Sequence, residues 1–468
     1  MVLIKSISGV RGIIGGKPGE GFTPVDIVDI TSGYAMWLKN RFDNNKMKVV
    51  IGRDARPSGE VVNNLVASTL QCNGIDVIDG GLCSTPTVEI AVKAQKANGG
   101  IIITASHNPK KWNALKLLDE NGEFLNSEEG LEVLKLSESK NFDFVPVEKL
   151  GKYSLDESLT EHHIEKILSL PIVDVDAITK ANFTVAIDAV NSVGGIAMPL
   201  LFEALGVKRV IEVNCEPSGL FAHNPEPLPE HLSELSATVL NHKANVGFAV
   251  DPDVDRLAII SDDGEPFGEE YTLVAVADYV LENSKTSQPV TVSNLSSTQA
   301  LAEVTEKHGG KHYSSAVGEI NVVEKMKEVN AVIGGEGNGG VIYPQMHYGR
   351  DALTGAAIFL TYLAKSGKKC SSLRKTLPDY TISKNKIELP DEVDIDGILA
   401  KISERYSKYK VNKEDGIKIY FDKEWVHLRK SNTEPIIRIY SESDSEVKAD
   451  NLAKKLMSDI SEIFRGGE

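Results

Sequence analysis

A strand, a helix and a second strand follow one another three times along this chain, and this repeated order constrains the fold more than any other feature. In the first copy, apolar runs at residues 48–52 and 76–80 flank helical apolar spacing from about 59 to 73. The same order returns over residues 184–213 and 289–334. Strands that alternate with helices predict parallel sheets covered by helices. The copies share no residue-level identity, so the repeat predicts three domains of similar architecture.

The pattern changes after Leu377-Pro378. Apolar runs at 416–421, 425–429 and 436–441 are closely spaced, and a helix is predicted over about 446–463. This order is typical of a small antiparallel α+β domain. A length of 468 residues suggests about three or four domains. We therefore predict an α/β fold, with three similar α/β domains of mixed, mostly parallel sheets and a C-terminal α+β domain, divided as 1–152, 153–256, 257–375 and 376–468.

Charge and composition argue against several classes of protein. The net charge of −16 disfavours a general nucleic-acid-binding protein. No run of about 18 apolar residues and no signal peptide is found, so we expect a cytoplasmic protein without a membrane partner. The four cysteines lack the spacing of a zinc site or a redox pair. A phosphorylated substrate would be repelled at long range and would need a local cluster of cations.

The first candidate site is the segment Thr104-Ala105-Ser106-His107-Asn108-Pro109. It follows the apolar run at 99–103, so Ser106 should lie at the carboxyl end of a buried strand, where open α/β sheets bind their ligands. A hydroxyl is a weak nucleophile and needs a base or a metal to react. His107 and Lys116 are the nearby candidates for proton transfer and for stabilising charge on a phosphoryl group.

The second candidate site is a metal loop, in which Asp251, Asp253 and Asp255 follow the apolar run at 246–250. Three hard oxygen ligands on one loop suit Mg²⁺, which takes the rest of its shell from water or phosphate. An EF-hand would need Gly and Glu where this chain has Arg256 and Asp262, so the calcium interpretation fails. A solvated acidic turn is the other alternative, but the preceding strand favours the metal site.

A dinucleotide-binding loop is a further alternative, because Gly335, Gly337 and Gly340 match the Gly-x-Gly-x-x-Gly spacing after a strand. In dinucleotide-binding proteins these glycines open a helix. Here they are followed by Val341-Ile342-Tyr343-Pro344, which is strand-like. The pattern therefore argues against an oxidoreductase.

Four segments, taken together, resemble the signatures of one family. They are the Ser-His-Asn-Pro loop at 104–109, the Asp-x-Asp-x-Asp-Arg loop at 251–256, the Gly-Glu-Gly-Asn-Gly-Gly loop at 335–340 and the Arg-x-Ser-Asn-Thr-Glu-Pro loop at 429–435. In this order and at domain-sized spacing they resemble the α-D-phosphohexomutases. The resemblance implies that the chain moves phosphate between positions 1 and 6 of a hexose, through a phosphoserine and a hexose 1,6-bisphosphate, with each domain giving one loop to a central cleft.

The resemblance also implies a role for each site residue. Ser106 is the phosphoserine and joins the three aspartates as a Mg²⁺ ligand, and the other catalytic residues are His107, Lys116, Arg11 and Arg256. Glu336 and Asn338 contact the sugar 3- and 4-hydroxyls, although most relatives have Ser in place of Asn338 and His in place of Gly340. The remaining substrate-binding residues are Val317 and Gly318 of a further substrate loop, and Arg429, Ser431, Asn432, Thr433 and Arg438 around the phosphate that does not react.

The substrate class predicted from this resemblance is a hexosamine phosphate. The sugar loop and residues 110–116 are most similar to enzymes that convert glucosamine 6-phosphate to glucosamine 1-phosphate. Phosphomannomutase or phosphoglucomutase activity is the alternative, and a non-catalytic sugar-phosphate-binding protein is the remote one. We expect Mg²⁺ as cofactor, hexose 1,6-bisphosphate as activator, and a monomer or homodimer.

Overall fold

The fold was determined as a computed structural model, which describes residues 2–6, 9–42, 46–390, 393–430 and 436–465. The strands are β1 (Leu3–Ser6), β2 (Gly9–Ile13), β3 (Lys48–Arg53), β4 (Asp76–Leu82), β5 (Gly99–Ile103), β6 (Trp112–Leu118), β7 (Tyr153–Leu155), β8 (Thr184–Asp188), β9 (Arg209–Val213), β10 (Val246–Val250), β11 (Leu257–Ser261), β12 (Val290–Asn294), β13 (Lys311–Ser315), β14 (Ile333–Glu336), β15 (Gly340–Ile342), β16 (Thr381–Glu388), β17 (Lys410–Asn412), β18 (Ile417–Tyr420), β19 (Trp425–Lys430) and β20 (Ile436–Ser443).

The helices are α1 (Pro24–Arg41), α2 (Gly59–Cys72), α3 (Thr85–Ala94), α4 (Ser127–Ser139), α5 (Leu159–Ser169), α6 (Val175–Ala181), α7 (Gly194–Ala204), α8 (Ser233–His242), α9 (Glu269–Glu282), α10 (Ala300–Lys307), α11 (Glu319–Val329), α12 (Ala352–Ser366), α13 (Cys370–Arg374), α14 (Ile395–Arg405) and α15 (Glu446–Arg465). Among the described helices, none combines the length and the apolar content that crossing a membrane requires.

The chain forms two compact units. Unit 1 contains Met1–Asn283 and Asn338–Arg374, and unit 2 contains Ser284–Gly337 and Lys375–Glu468. Each unit is therefore built from two separate stretches of chain.

Unit 1 contains two sheets that place the candidate site. The first has the strand order β1-β2-β6-β5-β3-β4-β7. Strands β5, β3, β4 and β7 are parallel to one another, whereas β6 is antiparallel to β5, β2 to β6 and β1 to β2. The second has the order β11-β10-β8-β9, with only β11 antiparallel. Strands β5 and β10 are buried along their whole length because helices cover these sheets. Their carboxyl ends carry the Ser106 and Asp251 loops.

Unit 2 contains a parallel group of strands and an antiparallel sheet. Strand β12 pairs in parallel with β13 and with β14. The C-terminal sheet has the order β16-β20-β19-β18-β17 and is antiparallel throughout. Alternate residues of this sheet, such as Leu428 and Ile439, pack in one core with Ile402 of α14 and Leu456 of α15. The predicted fold class, with mixed α/β sheets and a C-terminal α+β part, is confirmed.

Candidate functional site

The Ser106 loop connects β5 to β6 and holds its serine in a strained conformation. Ser106 has a φ of 47°, a left-handed value that is costly for a residue with a side chain. Its backbone N–H donates to Thr104 Oγ1 at 2.9 Å, and Thr104 Oγ1 donates to Asp54 Oδ2 at 2.7 Å. These bonds satisfy the buried polar groups that the sharp turn creates.

Arg56 holds the same loop from beneath and is only 1% exposed. Its Nε donates to Asp54 Oδ2 at 2.8 Å, which pairs the buried charge. Its terminal nitrogens donate to four loop carbonyls, those of Ser106, Asn108 (2.7 Å), Pro109 (2.8 Å) and Trp112 (3.1 Å). A guanidinium has five donors in a fixed plane, so one side chain can fix the whole turn.

The aspartate loop follows β10 and lies directly against this serine. Asp251, Asp253 and Asp255 are each 0% exposed, and one ligand oxygen from each lies within 4.8 Å of the other two. Ser106 Oγ donates to Asp251 Oδ2 at 2.7 Å. Two loops that are 145 residues apart in sequence therefore meet, as the family resemblance implies.

The surrounding residues hold one oxygen of each carboxylate. Asp253 Oδ2 accepts from Thr85 Oγ1 at 2.6 Å and from Lys116 Nζ at 2.7 Å. Asp255 Oδ2 accepts from Arg350 Nη2 at 2.7 Å. Within the described part of the chain, Oδ1 of Asp253 and Oδ1 of Asp255 accept no hydrogen bond. Buried oxygens without donors are suited to a bound cation.

The electrostatics of the loop support the same conclusion. Burial, followed by repulsion from Asp255 and Asp253, raises the pKa of Asp251 well above its ordinary value. Burial also acts to raise the pKa of Asp253, but the charge of Lys116 and the hydrogen bonds with Asp251, Lys116 and Thr85 together lower it. A divalent cation would offset the remaining repulsion, and three hard oxygen donors fit Mg²⁺.

The pKa of His107 is lowered from its ordinary value, and the pKa of Lys116 is raised. Burial and then the positive charge of Arg256 lower the pKa of His107 to about 3, so its imidazole is neutral at pH 7. His107 Nδ1 lies 3.3 Å from Ser106 Oγ. Burial acts to lower the pKa of Lys116, but Asp253 and Asp255 raise it above its ordinary value, so Lys116 is charged.

Two arginines predicted at the site lie in unit 1, Arg11 on β2 and Arg256 in the loop after β10. Arg256 Nη1 lies 3.2 Å from Glu226 Oε1, and its Nε lies 4.0 Å from Asp255 Oδ1. Arg11 of β2 pairs with Ala114 of β6, so it shares a sheet face with Lys116, two residues further along. Burial lowers the pKa of Arg11 from its ordinary value. Arg256 is therefore next to the aspartate loop, and Arg11 is on the sheet face that carries Lys116.

The predicted sugar and substrate loops come together in unit 2. Glu336 is 5% exposed, and its Oε1 accepts from Asn294 Nδ2 at 2.8 Å and from the N–H of Gly318 at 3.2 Å. The N–H of Val317 donates to Asp415 Oδ2 at 3.0 Å. Asp415 therefore continues this hydrogen-bonded cluster towards the C-terminal sheet.

The predicted phosphate loop starts at the end of β19. Arg429 Nε donates to Asp415 Oδ1 at 3.0 Å, and Arg429 faces Arg438 directly in the register of β19 and β20. Arg438 is exposed. Ser431, Asn432 and Thr433 lie outside the described residues. Asn338, predicted with Glu336 to contact the sugar, belongs to unit 1, where its Oδ1 accepts from the N–H of Gly340 at 3.2 Å.

Comparison with known proteins identifies the family. Four domain models of phosphoglucomutase/phosphomannomutase match the chain in order: α/β/α domain I at 4–143, α/β/α domain II at 161–264, α/β/α domain III at 268–380 and the C-terminal domain at 386–458. This chain belongs to the α-D-phosphohexomutases. The predicted recognition is thus confirmed, and the chain is an intramolecular phosphotransferase.

Relatives of this phosphohexomutase match over nearly their whole length. A phosphoglucomutase/phosphomannomutase of Thermococcus kodakarensis is 38% identical, with 98% of each chain covered. A phosphoglucosamine/phosphogalactosamine mutase of Sulfurisphaera tokodaii is 32% identical, again with 98% of each chain covered. A crystal structure of a phosphoglucomutase/phosphomannomutase family protein from Burkholderia thailandensis has the same fold, with a TM-score of 0.83, 23% identity and 98% of each chain covered.

Several residues that contact the predicted loops were not found by sequence reasoning. They are Asp54, Arg56, Thr85 and Arg350 in unit 1, and Asp415 in unit 2. Each is a single polar residue outside the four signature segments, and each contacts a residue of a predicted loop, or Lys116, only through the fold. An N-cap signal was present at Asp351, which precedes an apolar stretch, but that signal predicts the start of a helix and not the role of its neighbour Arg350.

Proposed function

We propose that the chain interconverts hexosamine 6-phosphate and hexosamine 1-phosphate, with Ser106 as the phosphoserine. The observation that carries this proposal is the 2.7 Å contact between Ser106 Oγ and Asp251 within a buried group of three carboxylates. A nucleophilic oxygen at the edge of a cation site is what phosphoryl transfer requires. The four predicted domain boundaries, and the roles of the individual residues, form part of the same proposal.

Asp251, Asp253 and Asp255 would hold Mg²⁺, with an oxygen of the Ser106 phosphate as a further ligand. The cation would supply positive charge next to the transferring phosphoryl group. Arg256 and Lys116 add fixed positive charge at the same place, which stabilises the charge spread over the equatorial oxygens.

The reaction would proceed as two phosphoryl transfers. A sugar hydroxyl oxygen bonds to the phosphorus on Ser106, the bond from phosphorus to Ser106 Oγ breaks, and a hexose 1,6-bisphosphate results. After the sugar reverses, its other phosphoryl group returns to Ser106 Oγ and the opposite hydroxyl is released. His107, whose neutral imidazole lies 3.3 Å from Ser106 Oγ, and charged Lys116 are proposed as the proton-transfer pair, and bound substrate would have to bring their pKa values closer to neutrality for them to exchange a proton with the sugar hydroxyl.

The unit 2 cluster would bind the part of the substrate that does not react. The Glu336 carboxylate can accept hydrogen bonds from sugar hydroxyls, and the facing Arg429 and Arg438 can bind a phosphate dianion. These contacts would hold the sugar by its hydroxyls and its phosphate, so a preference for an amino group at position 2 would have to come from other residues.

The substrate is proposed to be glucosamine phosphate, which the name of the Sulfurisphaera tokodaii relative supports. Glucose or mannose phosphate is the second candidate, because the 38% identical Thermococcus kodakarensis relative is named for those activities. A carboxylate that binds the 3- and 4-hydroxyls would not distinguish an amino group from a hydroxyl at position 2. Hexose 1,6-bisphosphate is proposed as the activator that first phosphorylates Ser106.

The decisive experiment is a comparison of kcat/KM on glucosamine, glucose and mannose 1-phosphates, with Mg²⁺ and a trace of the matching 1,6-bisphosphate. We expect glucosamine 1-phosphate to give the highest value. The Ser106→Ala variant should retain less than about 1% of kcat, because mutation of a nucleophile removes the covalent step. Preference for another sugar would refute the substrate, and substantial activity in Ser106→Ala would refute the phosphoserine mechanism.

A further inference from the structure

Arg350 is a buried cation of unit 1 that contacts the aspartate loop at 251–256. It is 8% exposed, and its Nη2 donates to Asp255 Oδ2 at 2.7 Å. This contact occupies one oxygen of Asp255 and leaves Oδ1 without a hydrogen-bond donor among the described residues. The contact of Lys116 with Oδ2 of Asp253 has the same effect on that carboxylate. Each cation thus sets which carboxylate oxygen remains for a metal ion.

Gly340 provides the space through which Arg350 reaches Asp255. A Cβ atom at Gly340 would overlap Cδ of Arg350 and would lie 3.1 Å from its Cγ. The backbone of Gly340 is not in a left-handed conformation, so a glycine is not required there for its φ. The lack of a side chain at this position therefore serves the packing of Arg350.

The backbone at Arg350 and at the two residues that follow it is held by neighbouring strands and loops. Ile342 forms a β-bridge with Arg350, and the N–H of Asp351 donates to Val341 O at 2.9 Å. The N–H of Ala352 donates to Val254 O, within the metal loop itself, at 3.2 Å. These bonds tie the segment that carries Arg350 to the loop that carries Asp255, so their relative position is defined by backbone as well as by side chain.

The charges of the site make this contact important. Three buried carboxylates repel one another, and Arg256 Nε approaches Asp255 no closer than 4.0 Å. Lys116 Nζ lies 3.5 Å from Asp255 Oδ2, and Arg350, at 2.7 Å, is nearer to Asp255 than either of these cations. Groups that bind metal-ligating carboxylates orient them and tune their affinity, and their mutation typically costs about 10- to 100-fold in metal affinity.

We propose that Arg350 is a positioning residue of the phosphoryl-transfer site, which orients Asp255 towards the divalent cation, and that Gly340 is needed because it admits the Arg350 side chain. The proposal rests on the proposed function for its catalytic consequence. Its structural part concerns cation binding alone and can be tested separately.

The experiment compares Arg350→Gln, Gly340→Ala and the double variant with the wild type. Mn²⁺ alone is titrated into the full chain, and free Mn²⁺ is followed by electron paramagnetic resonance. Arg350→Gln should weaken Mn²⁺ binding by about 10- to 100-fold. Gly340→Ala should weaken it in the same direction by displacing Arg350. The double variant should be no weaker than Arg350→Gln, because both changes remove the same contact.

Gly355→Ala is the matched control, because Gly355 is also a buried glycine of unit 1. A Cβ there would meet Val341 at 3.4 Å and Leu257 at 3.5 Å, which are ordinary contacts. This variant should bind Mn²⁺ like the wild type. Circular dichroism and the melting temperature show whether each variant is folded, and Arg350→Lys, which keeps the charge, should recover part of the affinity.

Mutase kinetics supply the second readout. In Arg350→Gln, the Mg²⁺ concentration for half-maximal activity should rise about 10- to 100-fold, with kcat partly restored at high Mg²⁺ and KM for the sugar phosphate little changed. Wild-type Mn²⁺ affinity in folded Arg350→Gln, or additive losses in the double variant, would overturn the inference. A wild-type protein that binds Mn²⁺ as expected but has no mutase activity would instead refute the proposed function.

Discussion

Two residues of the proposed catalytic site have backbone conformations that disfavour their side chains. Ser106 has a φ of 47° and Val254 a φ of 63°, and Val254 is β-branched. Such conformations cost about 1–3 kcal/mol each and persist only where neighbouring contacts require them. Arg56 and Thr104 provide those contacts for Ser106, and Ala352 provides one for Val254. The strain places the serine hydroxyl and the aspartates against each other.

The Arg56→Ala variant tests how strongly the Ser106 loop depends on the Arg56 side chain. It leaves Asp54 buried without its cation and four loop carbonyls without their donor, so we expect the free energy of unfolding to fall by about 3–5 kcal/mol. Chemical denaturation measures the change. Arg41→Ala is the control, since Arg41 forms partly exposed ion pairs on unit 1 and should cost less than about 1 kcal/mol. Similar losses in the two variants would show that Arg56 does not hold the loop.

The site residues that can be predicted from sequence are those with other reactive or metal-binding residues close by in the chain. Ser106 stands beside His107, and the three aspartates alternate on one loop, so their spacing alone predicts a site. Arg56 and Arg350 had no such neighbours. Their contacts span 50 and 95 residues of sequence, to Ser106 and Asp255 respectively, and arise only from packing.

Helix α12 is the element that connects the metal loop to a buried group of ionisable residues. Asp351 caps the helix by accepting from the N–H groups of Leu353 and Thr354. The same carboxylate lies 3.0 Å from His163 Nε2 and 3.3 Å from His347 Nε2. His163 is fully buried beside this carboxylate, which indicates a structural role.

The stability of this element should depend on pH through His347. Burial acts to lower the pKa of His347, but hydrogen bonds to Asp351 and Glu89 raise it to about 9. The proton is therefore held more tightly in the folded protein, and its contribution is complete below the unfolded pKa of about 6.5 and lost as pH rises through about 9. His347→Gln should lose about 3 kcal/mol at pH 6 and much less at pH 10.

Denaturant titrations of wild type and His347→Gln at several pH values measure this difference. His242→Gln, an exposed change on α8, provides the control and should leave the pH dependence of stability unchanged. A stability difference between His347→Gln and wild type that stays constant from pH 6 to pH 10 would show that His347 does not bind its proton more tightly on folding.

The elements predicted from sequence were those with a continuous apolar signal. Helix α2 was expected over about 59–73 and covers Gly59–Cys72, and α15 was expected over about 446–463 and covers Glu446–Arg465. Strand β16 was not predicted, because it lies at a sheet edge and its residues are half-buried or exposed. Helix α14 was also missed, although Ile395, Ile398 and Ile402 form a readable apolar stripe.

At the scale of the whole molecule, grouping the elements into units needed tertiary information. The sequence pattern divides the chain into consecutive segments, whereas unit 1 takes Asn338–Arg374 from beyond the start of unit 2. Aromatic packing explains part of this grouping, since Phe359 of α12 contacts Phe267 and Phe248 edge to face. Such contacts join residues that are about 100 apart in sequence, and no local spacing predicts them.

The two units should respond differently to Mg²⁺, because the three aspartates lie in unit 1 alone. A ligand that binds only the native state stabilises it by about 2.7 kcal/mol at 100 times its dissociation constant. Hydrogen exchange should therefore slow in peptides that cover β10 and β11 when Mg²⁺ replaces a chelator, and should change little in α14 and α15. Asp253→Asn should lose this protection, since it removes a ligand charge from the site. Potassium chloride at matched ionic strength separates binding from charge screening. Equal protection of both units, or protection that persists in Asp253→Asn, would mean that Mg²⁺ acts on this protein other than through the aspartate loop.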